Sequence, residues 1–395
     1  MTLNKRQKRK IKKRICILTI VFSWLTILYL TIVFSDIPFI AKWRTLYIET
    51  AMTTNSHHWM AEWFFPDSVI DKVMADRRAA LEAQRELQGD WEDVEQETKK
   101  EEEEKIKTPK DLFFEEYWEL DSNSFNSLMD EHPELFSNGY NNILIENFND
   151  EYDIETVKGD KILVVDTANN LLIIGVSGEG YVGKMAVAKN PEQVDLVTAS
   201  TLGSYGEEAI TFNERYDALI TINASGFVDV GGHGSGGHVK GSVIRDGQEY
   251  GEPVDGTWKF FGFKKDNRMY INNYSSVDTS EYRWAMEFFP ALIVNGENVV
   301  DGSFGMGIQP RSSVGQAQNG DFMMLVIDGR QIGYSLGTTV AECAKILERY
   351  NAYQAMNLDG GSSSVMIYKG TQINRSSSVS GRGRYMPDAF LINRP

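Results

Sequence analysis

Three short stretches near the C-terminus carry side chains suited to chemistry at one place: Pro310-Arg311-Ser312, Asp328-Gly-Arg330 and Asn357-Leu-Asp359-Gly360-Gly361-Ser362-Ser363. Arg311 offers planar, bidentate donors that match phosphate oxygens, and Ser312 adds a hydroxyl beside it. Asp328 and Asp359 form a carboxylate pair, a residue type suited to acid–base or nucleophilic work. One of them would act as base or nucleophile, the other would bind substrate hydroxyls or a cation. Asn357 and, upstream, Asn223 suit hydrogen bonding to a sugar hydroxyl or an acetamido group. A single Asp-Gly pair is a common turn. Two of them at corresponding strand ends point to a site.

The elements that must position these residues are legible around them. Residues 323–327 are an apolar run of strand length and residues 353–358 a second, shorter one. Between them Thr339 and Glu342 fit a capping box, and Val340, Ala344 and Leu347 share one helix face. Strand, helix, strand of this length predicts a crossover joining parallel strands. Asp328 and Asp359 then leave the same end of the sheet, where such units place ligand sites.

Upstream, residues 161–166, 171–176 and 183–188 read as hairpin strands, followed by a short helix over 207–215 and a strand over 218–222. That strand ends in Asn223-Ala-Ser225-Gly226-Phe227, and a glycine-rich loop over 231–238 follows, with His233 on it. Such a loop brings backbone N–H groups close to an anion. Asn295-Gly296 marks a further hairpin and residues 387–392 a closing strand. The fold class expected is α+β, with mixed sheets and a few helices.

In this order, six motifs resemble the phosphodiester glycosidase family: Asn223 to Phe227, the loop 231–237, Pro310-Arg311-Ser312, Asp328-Gly-Arg330, Asn357 to Ser363, and Arg384 ahead of Asp388-Ala389. The resemblance covers roughly residues 160–395 and none of the first 150. Ser225 stands where the family pattern has glycine, and Ser312 keeps the hydroxyl of the commoner threonine. The resemblance implies hydrolysis of the bond between a sugar's anomeric carbon and a phosphodiester, with N-acetylglucosamine as the sugar. It makes Asp328 and Asp359 catalytic. Asn223, Gly226, Phe227, His233, Arg311, Ser312, Arg330, Asn357, Gly360, Gly361, Ser362, Ser363 and Arg384 become substrate contacts. No motif requires a cofactor, and the aspartate pair is compatible with a divalent cation. The alternative is a surface module that binds phosphorylated glycans without cleaving them.

The first fourteen residues hold eight cations, and residues 15–34 then run without a charge, close to the ~20 residues that span a bilayer. No Ala-x-Ala cleavage site follows. The charge bias predicts a cytoplasmic tail over 1–14, a signal anchor over 15–35 and everything beyond outside the cell. Residues 36–145 carry no recognisable chemistry and read as a helical or disordered stalk. An aromatic cluster at 59–65 suits the membrane interface, and residues 101–104 form an acidic run. The catalytic-type domain is expected over 146–395.

Net charge is −16, and removing the eight cations of the tail leaves −24. That excludes nucleic acid as a partner. The expected partners are a membrane and a phosphorylated glycan, such as a cell-surface glycopolymer or exopolysaccharide. Cys16 and Cys343 fall in the anchor and the capped helix, so no disulfide joins them. Gly178 to Gly183 matches a dinucleotide fingerprint by spacing, but β character continues after it where a helix is required, so it is a turn. A serine hydrolase with the order Ser, Asp, His is excluded because no histidine follows His238.

Overall fold

The computed structural model describes residues 5–54, 57–91, 107–229, 234–254, 256 and 258–395. Lys5–Phe34 is one continuous helix, and among the described residues it alone is long and apolar enough to cross a membrane. The rest is α+β, built on a nine-stranded sheet and two five-stranded sheets whose strand pairs are all antiparallel.

Alternation along the central strands sets the layers. On Phe322–Ile327, residues Met323, Leu325 and Ile327 face the helix Val340–Arg349, while Met324 and Val326 face the two smaller sheets through Phe261, Trp284, Ile222 and Phe390. The helix buries Val340, Ala341, Cys343, Ala344, Ile346 and Leu347. Half of the expected capping box forms. The Thr339 hydroxyl accepts from the Glu342 N–H at 3.3 Å, but the Glu342 carboxylate accepts from the Tyr181 hydroxyl at 3.1 Å.

The crossover expectation is met with one strand inserted. Arg311–Ala317 lies between Phe322–Ile327 and Ala352–Asn357 and pairs antiparallel with both, so the two outer strands run parallel. Arg311, Asp328 and Asp359 therefore come to one end of the sheet. The third sheet brings Asn223 and Asp388 to the same place, through Ile220–Asn223 and Asp388–Ile392, with Asn223 opposite Ala389.

The packed unit begins well before residue 146. Helices Pro109–Glu116 and Ser122–Glu131 bury Phe113, Phe125 and Leu128, and Tyr117 and Leu120 between them are buried in the same cluster as Leu172, Ile174 and Leu325. Glu119 and Asp321 both bind Lys189 at 2.7 Å, with all three side chains nearly inaccessible. Helices of 8 and 10 residues carry too few turns to show a periodic signal, which is why the stretch read as stalk. Farther upstream, the Gln84 amide bonds both backbone groups of Ala291 at 2.9 and 3.0 Å, Gly89 bridges to Ile271, and the Trp91 indole donates to the Met269 carbonyl at 3.0 Å. These residues form a strap on the sheets. The acidic run 101–104 lies outside the described residues.

Candidate active site

Asp359 stands just past Ala352–Asn357, its N–H donating to the Ala224 carbonyl at 3.2 Å and its carbonyl accepting from Asn223 Nδ2 at 2.7 Å. Its carboxylate sits in a recess where the Ser363 hydroxyl and the Gly360 N–H reach it. Burial pushes its pKa up to about 6; the two donors and the charge of Arg384 pull the other way, and the charge of Asp229 adds to the rise. The carboxylate thus changes protonation near neutral pH, as an acid–base group should.

Two arginines act on it by charge. Arg330 interacts electrostatically with Asp359, and its guanidinium is held by Gln309, whose Oε1 accepts from Nε at 3.1 Å and Nη2 at 2.5 Å. The residue is exposed overall, but its head lies against Gly361, where an added Cβ would come within 3.1 Å of Nη2. Gly361 has φ = 63°, a left-handed conformation that glycine adopts freely. A Cβ on Gly360 would meet the Pro310 carbonyl at 2.8 Å. The two glycines let the turn pass beneath the arginine.

Arg384 stacks over the Phe227 ring at 5.1 Å and makes a two-pronged pair with Asp229, at 3.0 and 3.1 Å. Asp229 also accepts from the Gly234 N–H. The loop therefore carries an arginine anchor, while Gly231, Gly232 and His233 lie outside the described residues. Asp388 is fully buried behind Asp359. Ser225 donates to it through its N–H at 2.8 Å and its hydroxyl at 2.5 Å, and the hydroxyl is what the serine in place of glycine contributes. Burial, and secondarily the charge of Asp359, push Asp388 up to about 7. Reading the motifs missed Asp229, Asp388 and Gln309 as site residues. Asp388 stood inside the last motif and was the one with a signal.

Two residues differ from expectation. Asp328 is buried, and its oxygens accept from Asn374 Nδ2 at 2.9 Å, the Arg375 N–H at 3.0 and 3.1 Å, and the Tyr334 hydroxyl at 2.9 Å. It fastens the 374–375 turn and has donors where a substrate or cation would have to bind. Arg311 is likewise buried. Nε donates to the Thr338 carbonyl at 3.1 Å, and Nη2 to those of Met306 and Gly307 at 3.0 and 2.8 Å. Burial lowers its pKa to about 10. The fork built for phosphate is engaged with backbone.

Arg311→Lys should therefore lower stability by about 2 kcal/mol, the scale of hydrogen bonds to a charged group, and leave KM of the folded enzyme nearly unchanged. Denaturant midpoints and steady-state kinetics separate the two effects.

Ser312 and Asn223 bind each other at 2.6 Å and Asn223 holds Asp359, so both brace the site from inside. Asn357 Nδ2 donates to the Phe289 carbonyl at 2.9 Å, and its buried Oδ1 has no partner among the described residues. Gly226 packs beneath Phe288 and Trp258, and the Ser362 carbonyl accepts from the Ser376 hydroxyl at 3.2 Å. Among the described residues, no group of three or more His, Cys, Asp or Glu is placed to hold a metal ion. A cavity of about 580 Å³ lies elsewhere, between the helix Asp67–Ala83 and residues 299–305, and none of the motif residues lines it.

Residues 216–393 match the family model for phosphodiester glycosidases. Over 215 residues the chain is 25% identical to a SPbeta prophage-derived uncharacterized protein of Bacillus subtilis (strain 168), YomE; this covers 50% of the chain and 31% of that protein, so the match spans about a third of the relative's length. Among solved structures, the zebrafish N-acetylglucosamine-1-phosphodiester alpha-N-acetylglucosaminidase catalytic domain, auto-inhibited by its pro-peptide, is similar with a TM-score of 0.47 and 18% identity, over 57% of this chain and 83% of that one. A hypothetical protein from Synechocystis is similar with a TM-score of 0.42 and 14% identity, over 60% and 65% of the two chains. The family match thus falls on the C-terminal part of this chain, over residues 216–393, and is to phosphodiester glycosidases.

Proposed function

We propose that this protein is a membrane-anchored, extracytoplasmic hydrolase that cleaves the bond between a sugar's anomeric carbon and a phosphodiester. The products are a free sugar and a phosphomonoester, with one water consumed. N-acetylglucosamine is the sugar proposed, and a cell-surface glycopolymer or exopolysaccharide the source. The observation that carries this reading is the Asp359 carboxylate in its motif turn, reached by the Ser363 hydroxyl and the Gly360 N–H and interacting by charge with both Arg330 and Arg384.

Arg330 receives the phosphate, Arg384 adds positive charge and turns its fork from Asp229 to the phosphate when substrate enters, and Asp359 works at the anomeric carbon, as nucleophile or as the base that takes a proton from attacking water. A phosphomonoester leaves readily, so the site needs no strong acid opposite Asp359. Asp388 is too buried to touch substrate and acts by holding Ser225 behind the catalytic carboxylate. Lys5–Phe34 serves as the membrane span, with its basic end in the cytoplasm.

Replacing Arg330 or Arg384 by lysine keeps the charge but not the planar fork. Each variant should raise KM for a sugar-1-phosphodiester while leaving a cooperatively folded protein. Unchanged KM in both would remove the arginines from the phosphate site.

The ionised form of Asp359 is the working one, so kcat/KM should fall as pH drops below about 6. Asp229 raises that pKa by its own negative charge and neutralises Arg384, which would lower it. Both effects vanish in Asp229→Asn and act in the same direction. The acid limb of the pH profile should move to lower pH, and a move to higher pH would show that Asp359 is not the group observed.

A further inference from the structure

We propose that residues 38–65 form a docking face that seats this protein on the surface of a lipid bilayer; the inference rests on reading Lys5–Phe34 as a membrane span. Five large aromatic side chains stand out from this segment. Phe39, Trp43, Trp59, Trp63 and Phe64 are 72, 52, 44, 76 and 54% exposed. The Trp59 and Trp63 rings pack together at a tilt of 59°, with centroids 4.8 Å apart, at the two ends of the short helix Trp59–Glu62. So much apolar ring surface is unfavourable in water, whereas tryptophan and phenylalanine rings suit the layer between headgroups and acyl chains.

Contacts with the span set the height of this face. The Tyr29 hydroxyl donates to the Phe64 carbonyl at 3.0 Å. Tyr29 lies five residues before the helix ends at Phe34, roughly 7 Å along the axis at ~1.5 Å per residue. Phe64 is therefore level with the last turns of the span, at the depth of the interface. At the end of the span, Arg44 Nη1 donates to the carbonyls of Ile32, Val33 and Ser35 at 3.3, 3.0 and 2.9 Å, placing a cation at the negative end of the helix. Val33 packs with Ile48, Ala51, Ala61 and Phe65. Lifting the segment off the bilayer would break all of these contacts.

The face is built into the catalytic domain. Gln309 Nε2 donates to the Thr50 carbonyl at 2.9 Å and the Ile308 N–H to the Thr50 hydroxyl at 3.0 Å, while Gln309 Oε1 holds Arg330. A short path of direct contacts joins the bilayer-facing helix Pro38–Met52 to an arginine of the site.

The test uses the full chain in phosphatidylcholine vesicles whose lipids carry bromine either near the headgroup or deep in the acyl chains, read by tryptophan quenching. The Trp43→Phe, Trp59→Phe, Trp63→Phe triple variant keeps the ring bulk and therefore the fold. Wild type should be quenched by both lipids, Trp24 accounting for the deep component, and the variant should lose most of the shallow component while keeping the deep one. Equal shallow quenching of wild type and variant, with the deep component intact, would overturn the docking face and leave the span standing. Absence of deep quenching would instead overturn the span, and the docking proposal with it.

Discussion

Asp359→Asn should give a folded protein that still binds a sugar-1-phosphodiester and turns it over about 10²–10⁴-fold more slowly. Asparagine nearly matches aspartate in shape, so the bonds of the residue 359 backbone to Ala224 and Asn223 survive. What disappears is the negative charge that, in the proposed mechanism, attacks carbon or accepts a proton. Its loss also leaves Arg330 and Arg384 more positive toward an anionic ligand, so KM should stay level or fall. A drop in kcat without a rise in KM marks an interaction made in the transition state. Asp328→Asn should behave differently, because Asp328 fastens Asn374, Arg375 and Tyr334. Its cost should appear in thermal stability before it appears in kcat. Reducing-sugar release and calorimetric binding by the full chain check both variants. If the Asp328 variant loses kcat and the Asp359 variant keeps it, the roles are reversed.

A chain cut to begin at residue 146 should fail to fold. The cut removes Phe113, Tyr117, Leu120, Phe125 and Leu128 from the core beneath the nine-stranded sheet. Burying each such side chain is worth about 1.5–3 kcal/mol, and a whole domain retains about 5–15 kcal/mol of net stability. The cut also strips Glu119 from Lys189, leaving the buried ammonium with Asp321 as its remaining acidic partner. Breaking a buried ion pair from one side is strongly destabilising. The fragment should be insoluble or lack a cooperative thermal transition, while a chain that retains residues 107–145 should regain one if those residues are what the shorter fragment lacked. A soluble 146–395 fragment with a sharp melt would restore the later boundary.

Those two outcomes mark where sequence patterns stop. The strand–helix–strand around Val340–Arg349 and the order of the motifs were legible, because apolar runs, caps and glycine turns are local signals. The partner of a given side chain is not local. Arg311 and Ser312 are adjacent and point to opposite faces of one strand, the first into backbone carbonyls under the helix, the second to Asn223. Nothing in Pro310-Arg-Ser reveals which face the cleft occupies. Asp229 and Asp388 gain their roles from burial and from Arg384 and Ser225, which lie far from at least one of them in the chain. The short helices at 109–131 belong to the core because the sheet is there to receive them.

The most direct test is hydrolysis of an N-acetylglucosaminyl phosphodiester by the full chain in water enriched in oxygen-18, with both products weighed by mass spectrometry. Cleavage at the anomeric carbon delivers the heavy oxygen to the free sugar and leaves the phosphomonoester unlabelled. That is the predicted result, with the labelled sugar largely absent for Asp359→Asn. Label in the phosphate would mean that the P–O bond breaks, and binding without any labelled product would mean a glycan-binding module; either contradicts the assignment.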